Sequence, residues 1–298
     1  MAAVDALIER CTFPAPGSAI DCAVSGGADS LALLVLGVHA GCVVHAIHVD
    51  HGLRPGSGAE AEVVAAAADR FGARFTSLSV EVGPGPNLEA RARDARYGVL
   101  PPGVCTGHTA DDQAETILLA LLRGSGPAGM GGIRPSVQRP ILGLRRHETE
   151  AVCRAVGLGP VHDSSNDDPR HRRNRIRHEV LPLLADVADR DLVPVLVRQG
   201  ELFRDTAEVL VCAAASLDPT DTAALRAAPR AVAREAIRTW IRSAWGSPHP
   251  PDLAAVDRVL AVAALDIRAT DVGSGWRVER TTGRLRLVAP PAGSAPAG

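Results

Sequence analysis

Ser25-Gly26-Gly27-Ala28-Asp29-Ser30 lies between an apolar run, residues 19–24, and a helical run, residues 31–39. A strand, a glycine turn and a helix start together make a phosphate site. The turn's N–H groups face the ligand, and the helix dipole adds positive potential. Gly26 and Gly27 carry no Cβ, so an anion can approach the backbone closely. Ser25 and Ser30 add hydroxyl donors. The stretch lacks the lysine that follows a Walker loop and the GxGxxG spacing of a dinucleotide fold. A turn that merely joins strand to helix would account for the two glycines, but not for the whole hexapeptide in this setting.

Working outward, the first half of the chain alternates strand and helix signals, which argues for a parallel sheet covered by helices. Strands are expected at 20–24, 42–49, 74–80 and 103–106. Helices are expected at 29–39, 59–71, 88–100 (with Asn87 as N-cap) and 111–123, the last with Ile117, Leu118, Leu121 and Leu122 along one side. Residues 133–180 read as a mixed polar segment and 181–215 as helical. The domain expectation is a nucleotide-binding catalytic domain over 1–185, a helical linker over 186–215 and a small α+β domain over 216–298. That last domain should contain a hairpin, 276–280 with 284–288, around Thr281-Thr282-Gly283, and end in a disordered tail after Pro290.

Composition narrows the class. The chain has 298 residues, 46% of them apolar, and a net charge of −2. No apolar run approaches the ~18 residues of a membrane span, and the first residues lack a signal-peptide pattern, so a cytoplasmic protein without membrane contact is expected. There is no lysine: all 32 basic residues are arginine, so arginine must carry every fixed positive side-chain charge. The six cysteines form no C-x-x-C pair, which argues against a zinc ribbon or a CxxC redox site. Cys22, Cys42 and Cys105 sit in apolar runs, as small buried hydrophobes do.

Further segments fall after strands, where open α/β sheets bind ligands. His48-Val49-Asp50-His51-Gly52-Leu53-Arg54 follows the second strand, without metal-ligand spacing. Asn87-Leu88-Glu89-Ala90-Arg91-Ala92-Arg93-Asp94-Ala95-Arg96-Tyr97 reads as a polar helix. A salt-bridged surface explains its Arg93 better than its Arg91. In Thr106-Gly107-His108-Thr109-Ala110-Asp111-Asp112-Gln113-Ala114-Glu115, a capping box explains Thr109 and Asp112 but leaves His108 over the strand ends, where a histidine titrating near neutral pH can exchange protons. Arg170 to His178 (RHRRNRIRH) is rich in arginine and has no acid. It suits a phosphate backbone, or else a solvated helix face.

The loop SGGADS resembles that of the PP-loop ATP pyrophosphatases. With HVDHGLR, NLEARARDARY, GHTADDQAET, LLRGSGPAGMGGI and DSSNDDPRHRRNRIRHEVLP, residues 18–185 resemble the tRNA(Ile)-lysidine synthase family. In the last stretch Asp163, Ser165, Asn166, Asp168, Arg173, Asn174 and Arg177 fit the family's spacing, while Val161-His162 replaces its usual tryptophan and acidic pair. The resemblance implies a PP-loop, Rossmann-like domain of the adenine nucleotide α-hydrolase type with a smaller C-terminal α+β domain. It implies ATP held by Ser25, Gly26, Gly27, Ala28, Asp29 and Ser30, Mg²⁺ on Asp29 and Asp112, and catalytic roles for Asp29, Arg91, His108 and Asp112. The implied partners are an isoleucine tRNA with a CAU anticodon gripped by Arg172, Arg173, Arg175 and Arg177, and free L-lysine; the oligomeric state is left open by the sequence, a homodimer among the alternatives. In the implied reaction the wobble cytidine is adenylated at its C2 oxygen with loss of pyrophosphate. The lysine ε-amine then attacks C2 and AMP leaves. A carboxylate among Asp50, Glu89, Asp111 and Glu115 is expected to pair with the lysine α-amine.

Three other readings compete. A thiolating PP-loop enzyme would want paired or catalytic cysteines, and none lies in a candidate site loop. An amidating relative would act on small substrates, which leaves the arginine run and the extra domain idle. A non-catalytic binding module would not need Ser25, Asp29, His108 and Asp112 all intact.

Overall fold

The computed structural model describes residues 2–50, 52, 57–83, 85, 88–161, 167–245 and 251–290. His51, Leu53 and Arg54, the Asn87 cap, the Asp163, Ser165 and Asn166 positions and the tail from 291 onward lie outside these residues. The chain divides into two compact units, residues 1–201 and 202–298.

In the first unit, α1 (Ala2–Ile8) precedes β1 (Ala19–Ala23), α2 (Ala28–His39), β2 (Val43–Asp50), α3 (Ser57–Phe71), β3 (Arg74–Ser79), α4 (Leu88–Val99), β4 (Cys105–Thr106) and α5 (Ala110–Leu122). The strands form one parallel sheet in the order β3-β2-β1-β4. The chain order turns back between β1 and β4, so the loops after these two strands flank the crevice where such sheets bind ligands. α2 lies against this sheet. Leu31, Ala32, Leu33, Leu34, Val35 and Leu36 are all fully buried, as in a helix that is apolar all round. Cys22, Val44, Ala46 and Cys105 join them from the strands. The other sheet face carries a smaller cluster of Ile47, Leu100 and Val104 with Leu78 and Tyr97 packed against it.

The polar segment 133–180 contains more order than its sequence suggests. After the short α6 (Pro127–Met130), α7 (Arg146–Ala155) packs on α2, and α8 (Arg172–Arg175) runs into a π-helical turn, Ile176–Val180. The helical reading of 181–215 divides into α9 (Leu181–Ala188) and α10 (Val193–Ala215). The break falls at Asp189, whose φ of 50° is left-handed and stops the helix. The apolar stripe expected on α5 also divides. Ile117 and Leu118 are buried, whereas Leu121 and Leu122 are 58% and 71% exposed at the helix end.

The second unit holds α11 (Thr222–Ala227), α12 (Arg230–Trp245), α13 (Leu253–Ala263) and an antiparallel sheet of β5 (Ala269–Gly273), β6 (Trp276–Thr281) and β7 (Arg284–Val288). Ile237, Ile241, Val256, Val259, Val278 and Leu285 form its core. The β6–β7 hairpin turns through Thr282 and Gly283, both at positive φ, as a two-residue hairpin turn requires.

Gly107 is where β4 meets α2. A Cβ there would stand 2.8 Å from the Asp29 carbonyl oxygen, whereas Gly98, exposed on α4, has open space around it. Gly107→Ala is expected to destabilise by about 1–3 kcal/mol through overpacking, and Gly98→Ala to stabilise by about 0.5–1 kcal/mol. Urea unfolding of the two variants reads both signs.

Candidate active site

The loop after β1 is built to leave donors open. Gly26 takes a φ of 83°, and its carbonyl accepts the Val161 N–H at 3.0 Å, bracing the turn from outside. Gly27 is the N-cap of α2, and no side chain caps the helix. The first-turn N–H groups, which no helix satisfies internally, are left for an anion. Ser30 fastens the loop: its hydroxyl accepts from the Ser25 N–H at 3.1 Å and donates to the Gly27 carbonyl at 2.9 Å. Ser25 Oγ stands 3.3 Å from Ser30 Oγ.

A cavity of about 780 Å³ opens over this loop and is lined by Ser25, Gly27, Asp29, His108, Asp112 and Arg146, among others. His48, at the end of β2, is 2% exposed and lines the cavity too. Its Nδ1 donates to the Val24 carbonyl at 3.0 Å, which fixes the tautomer because a carbonyl only accepts. Tyr97 lines the far wall. Its hydroxyl is buried with no partner among the described residues.

His108 follows β4, with Nδ1 2.6 Å from Thr106 Oγ1. Burial pushes its pKa down to about 4; nearby Asp112 opposes this and is outweighed. The histidine is therefore neutral at pH 7 rather than titrating near it. Asp112 caps α5, accepting from the Thr109 N–H at 2.8 Å and from Thr109 Oγ1 at 3.0 Å. Burial works to raise its pKa, but Arg173 and Arg146 outweigh it and hold the carboxyl below the usual range. Asp29, in the first turn of α2, accepts a hydrogen bond from Thr149 Oγ1. Burial pushes its pKa up against the pull of Thr149 and Arg146.

These groups meet in one arginine–carboxylate cluster. Glu115 is fully buried. It accepts from Arg173 Nε at 2.6 Å, from Arg177 Nε at 2.8 Å and from an Arg146 terminal nitrogen at 3.3 Å. Arg173 also reaches Asp112 at 3.0 Å. Arg146 reaches Asp112 at 3.3 Å and Asp29 at 3.4 Å. Beside the cluster, Arg145 binds Asp111 through two nitrogens, each at 3.1 Å, and also binds Asp191.

The structure thus brings Asp29, His108 and Asp112 to one cavity with the glycine loop. Arg177 lines the same cavity, whereas Arg91, Arg172, Arg173, Arg175, Asp50, Asp111 and Glu115 do not. Arg91 donates to the carbonyls of Gly83 and Gly85 and is not among the residues lining the cavity. Arg173 and Arg177 point inward to Glu115 rather than outward to a nucleic acid. Arg175 pairs with Glu179 and Arg172 is exposed. Asp111 and Glu115 are taken up by arginines, and Asp50 accepts the Gly52 N–H. The residues not singled out from the sequence are Arg146 and Thr149. Both sit on α7, inside the segment that reads as merely polar. Two carboxylates one helix turn apart on the largely buried α5, Asp112 and Glu115, are the signal that could have found Arg146. Buried carboxylates demand cations.

Among the described residues no group of three or more His, Cys, Asp and Glu side chains could hold a metal ion. Magnesium needs less from the protein: one or two carboxylates, with phosphate oxygens and waters completing the shell. Asp29 and Asp112 suit it, since both converge on the one Arg146 guanidinium and each offers only oxygen.

An open parallel sheet, a glycine-turn anion loop and an aspartate in the first helix turn define a nucleotide-binding α/β domain of the PP-loop class. The PP-loop domain family matches residues 3–184. The tRNA(Ile)-lysidine synthase of Nocardia farcinica is 41% identical over 295 residues, covering 93% of this chain and 90% of that protein. The enzyme of the same name from Rhodococcus erythropolis is 42% identical over 74% of this chain and 72% of its own length. The chain belongs to the tRNA(Ile)-lysidine synthase family. Among solved structures, the U34-tRNA thiolase NcsA of Methanococcus maripaludis shares the fold, with a TM-score of 0.54 and 14% identity over 68% of this chain and 78% of that one.

The His108 shift carries a pH signature. Between about pH 4 and 6.5 the unfolded chain binds the proton at this position and the folded chain does not. His108 therefore makes stability rise with pH across that window. In His108→Asn the slope of unfolding free energy against pH should be flatter between pH 4 and 6.5 and unchanged above pH 7, read by denaturant titration at fixed pH values.

Proposed function

We propose that this chain joins lysine to C2 of the wobble cytidine in an isoleucine tRNA with a CAU anticodon, using ATP. The observation that supports this best is the convergence of the uncapped α2 N-terminus, Asp29, His108 and Asp112 on one cavity in a member of this family. The adenylating half is an attack by the cytidine C2 oxygen on the α-phosphorus, with pyrophosphate leaving. The first-turn N–H groups of α2 and the Ser25 hydroxyl would take up the charge that develops on pyrophosphate. Mg²⁺ held by Asp29 and Asp112 would offset the same charge. In the second half the lysine amine must lose a proton before it attacks C2 and AMP leaves. His108 enters this reading as an acceptor for that proton. A neutral imidazole with a pKa of about 4 is a weak base, and the negatively charged phosphate of the adenylated cytidine beside it would raise its affinity for protons. Arg91 holds the loop at Gly83 and Gly85 in this reading.

Of the four arginines assigned to tRNA from the sequence, Arg172 and Arg175 are exposed, as is the neighbouring Arg170, and the tRNA-gripping role passes to Arg172 and Arg175. On the 202–298 unit, exposed Arg277, Arg284 and Arg286 suit a phosphate backbone, so this unit is proposed to contact the tRNA. A cytoplasmic location completes the reading. So does a homodimer covering the exposed Leu183 and Val187 of α9. No helix among the described residues is long and apolar enough to cross a membrane.

Labelled lysine, ATP and Mg²⁺ with a CAU-anticodon isoleucine tRNA transcript test the reaction. Incorporation should need ATP and should vanish when the wobble cytidine is uridine. ATP cleavage with no lysine transfer would move the assignment to another base modification. His108→Ala should slow lysine transfer by about 10²-fold or more while changing ATP binding little; equal loss of both would remove the proton-acceptor role. Arg172→Gln with Arg175→Gln should lower the slope of log affinity against log salt for tRNA by about 1–2, measured by filter binding.

A further inference from the structure

Three guanidinium groups hold the carboxylate cluster, but not equally. Arg173 and Arg177 grip Glu115 at 2.6 and 2.8 Å, the range of strong charge-assisted bonds. Arg146 makes three longer contacts, 3.4 Å to Asp29, 3.3 Å to Asp112 and 3.3 Å to Glu115. Each of its three nitrogens serves a different carboxylate. Its side chain keeps 22% of its surface exposed and lines the cavity, so it has room to move. The backbone of Arg146 is fixed separately, by its N–H donating to Asp111 at 2.8 Å. The side chain can leave without unseating α7.

We propose that Arg146 is an exchangeable resident cation: it occupies Asp29 and Asp112 in the nucleotide-free protein and gives both up to a divalent cation. This rests on the reading above that Asp29 and Asp112 take Mg²⁺. The charge count favours exchange over addition. Three guanidinium groups face three carboxylates, so a divalent ion placed between Asp29 and Asp112 with Arg146 still there would crowd like charges at short range. Exchange leaves Glu115 on its two short bonds and frees a guanidinium within the cavity, where phosphate oxygens are its natural partner. Arg146 is on this account a positioning residue. It keeps two carboxylates that would repel each other converged and ready, and its competition weakens metal binding until nucleotide contributes its own oxygens.

The test is Mn²⁺ titration of the full chain without nucleotide, followed by electron paramagnetic resonance of the free ion. Wild type should bind weakly. Arg146→Met, which keeps the length and removes the charge, should bind about tenfold more tightly or better, because the carboxylates are no longer occupied most of the time. Adding Asp29→Asn to Arg146→Met should abolish the gain. Mn²⁺ should also raise the melting temperature of Arg146→Met more than that of wild type, a reading available even if the variant is only marginally stable. A folded Arg146→Met with wild-type Mn²⁺ affinity overturns the proposal. So does a gain that survives Asp29→Asn. The titration uses neither tRNA nor lysine, so failure of lysine transfer in wild type would fall on the proposed reaction and leave this result standing.

Discussion

Glu115 is the constraint on which the site depends. A carboxylate with no exposed surface costs several kcal/mol to desolvate unless charges and hydrogen bonds meet it. Three arginines do so, and they come from three places: Arg146 from the first turn of α7, Arg173 from α8 and Arg177 from the π-helical turn. Arg146, Arg173 and Arg177 are therefore drawn to α5, and Arg146 and Arg177 line the cavity. The π turn at Ile176–Val180 belongs to the same arrangement. It alters the helical pitch where Arg177 has to reach the carboxylate that Arg173, four residues earlier, already holds. Such turns are often found at functional sites.

The same cluster tunes the two aspartates in opposite directions. Asp112 sits among Arg173, Arg146 and the Thr109 cap and is kept charged despite its burial. Asp29 has one long contact to Arg146 and one hydroxyl donor, and its burial prevails. Two carboxylates in one cavity thus differ in proton affinity, and perturbed groups of this kind cluster at functional sites. His108 stands beside them as a neutral imidazole, because burial removes the positive form that a solvated histidine would adopt in mild acid.

Much of the first unit was legible because its signals are local. The glycine loop, the apolar run of α2, the alternation of β1 and β2 and the capping box of α5 each lie within a dozen residues. The hairpin of β6 and β7 could be read for the same reason, from a glycine between two alternating runs. What could not be read was pairing over distance. Arg173 and Arg177 stand 58 and 62 positions from Glu115, and a run of arginines without acids looks free when its acids lie on another element. Arg146 and Thr149 carry no local signature at all. The pKa of His108 follows from burial, and burial is a property of the assembled fold.

The absence of lysine bears on how the cluster works. An ammonium is a compact, strongly hydrated point charge, whereas a guanidinium spreads its donors in a planar fork. Arg146 uses that fork to address Asp29, Asp112 and Glu115 with three separate nitrogens. A single ammonium in the same place would have to favour one carboxylate and leave the others apart. A planar cation that touches all three at moderate range can hold them in register without holding any of them tightly. That combination, convergence without tight binding, is what the proposed exchange of Arg146 for a divalent cation needs, because a tightly bound internal cation would not leave and no cation at all would let the carboxylates repel each other out of position.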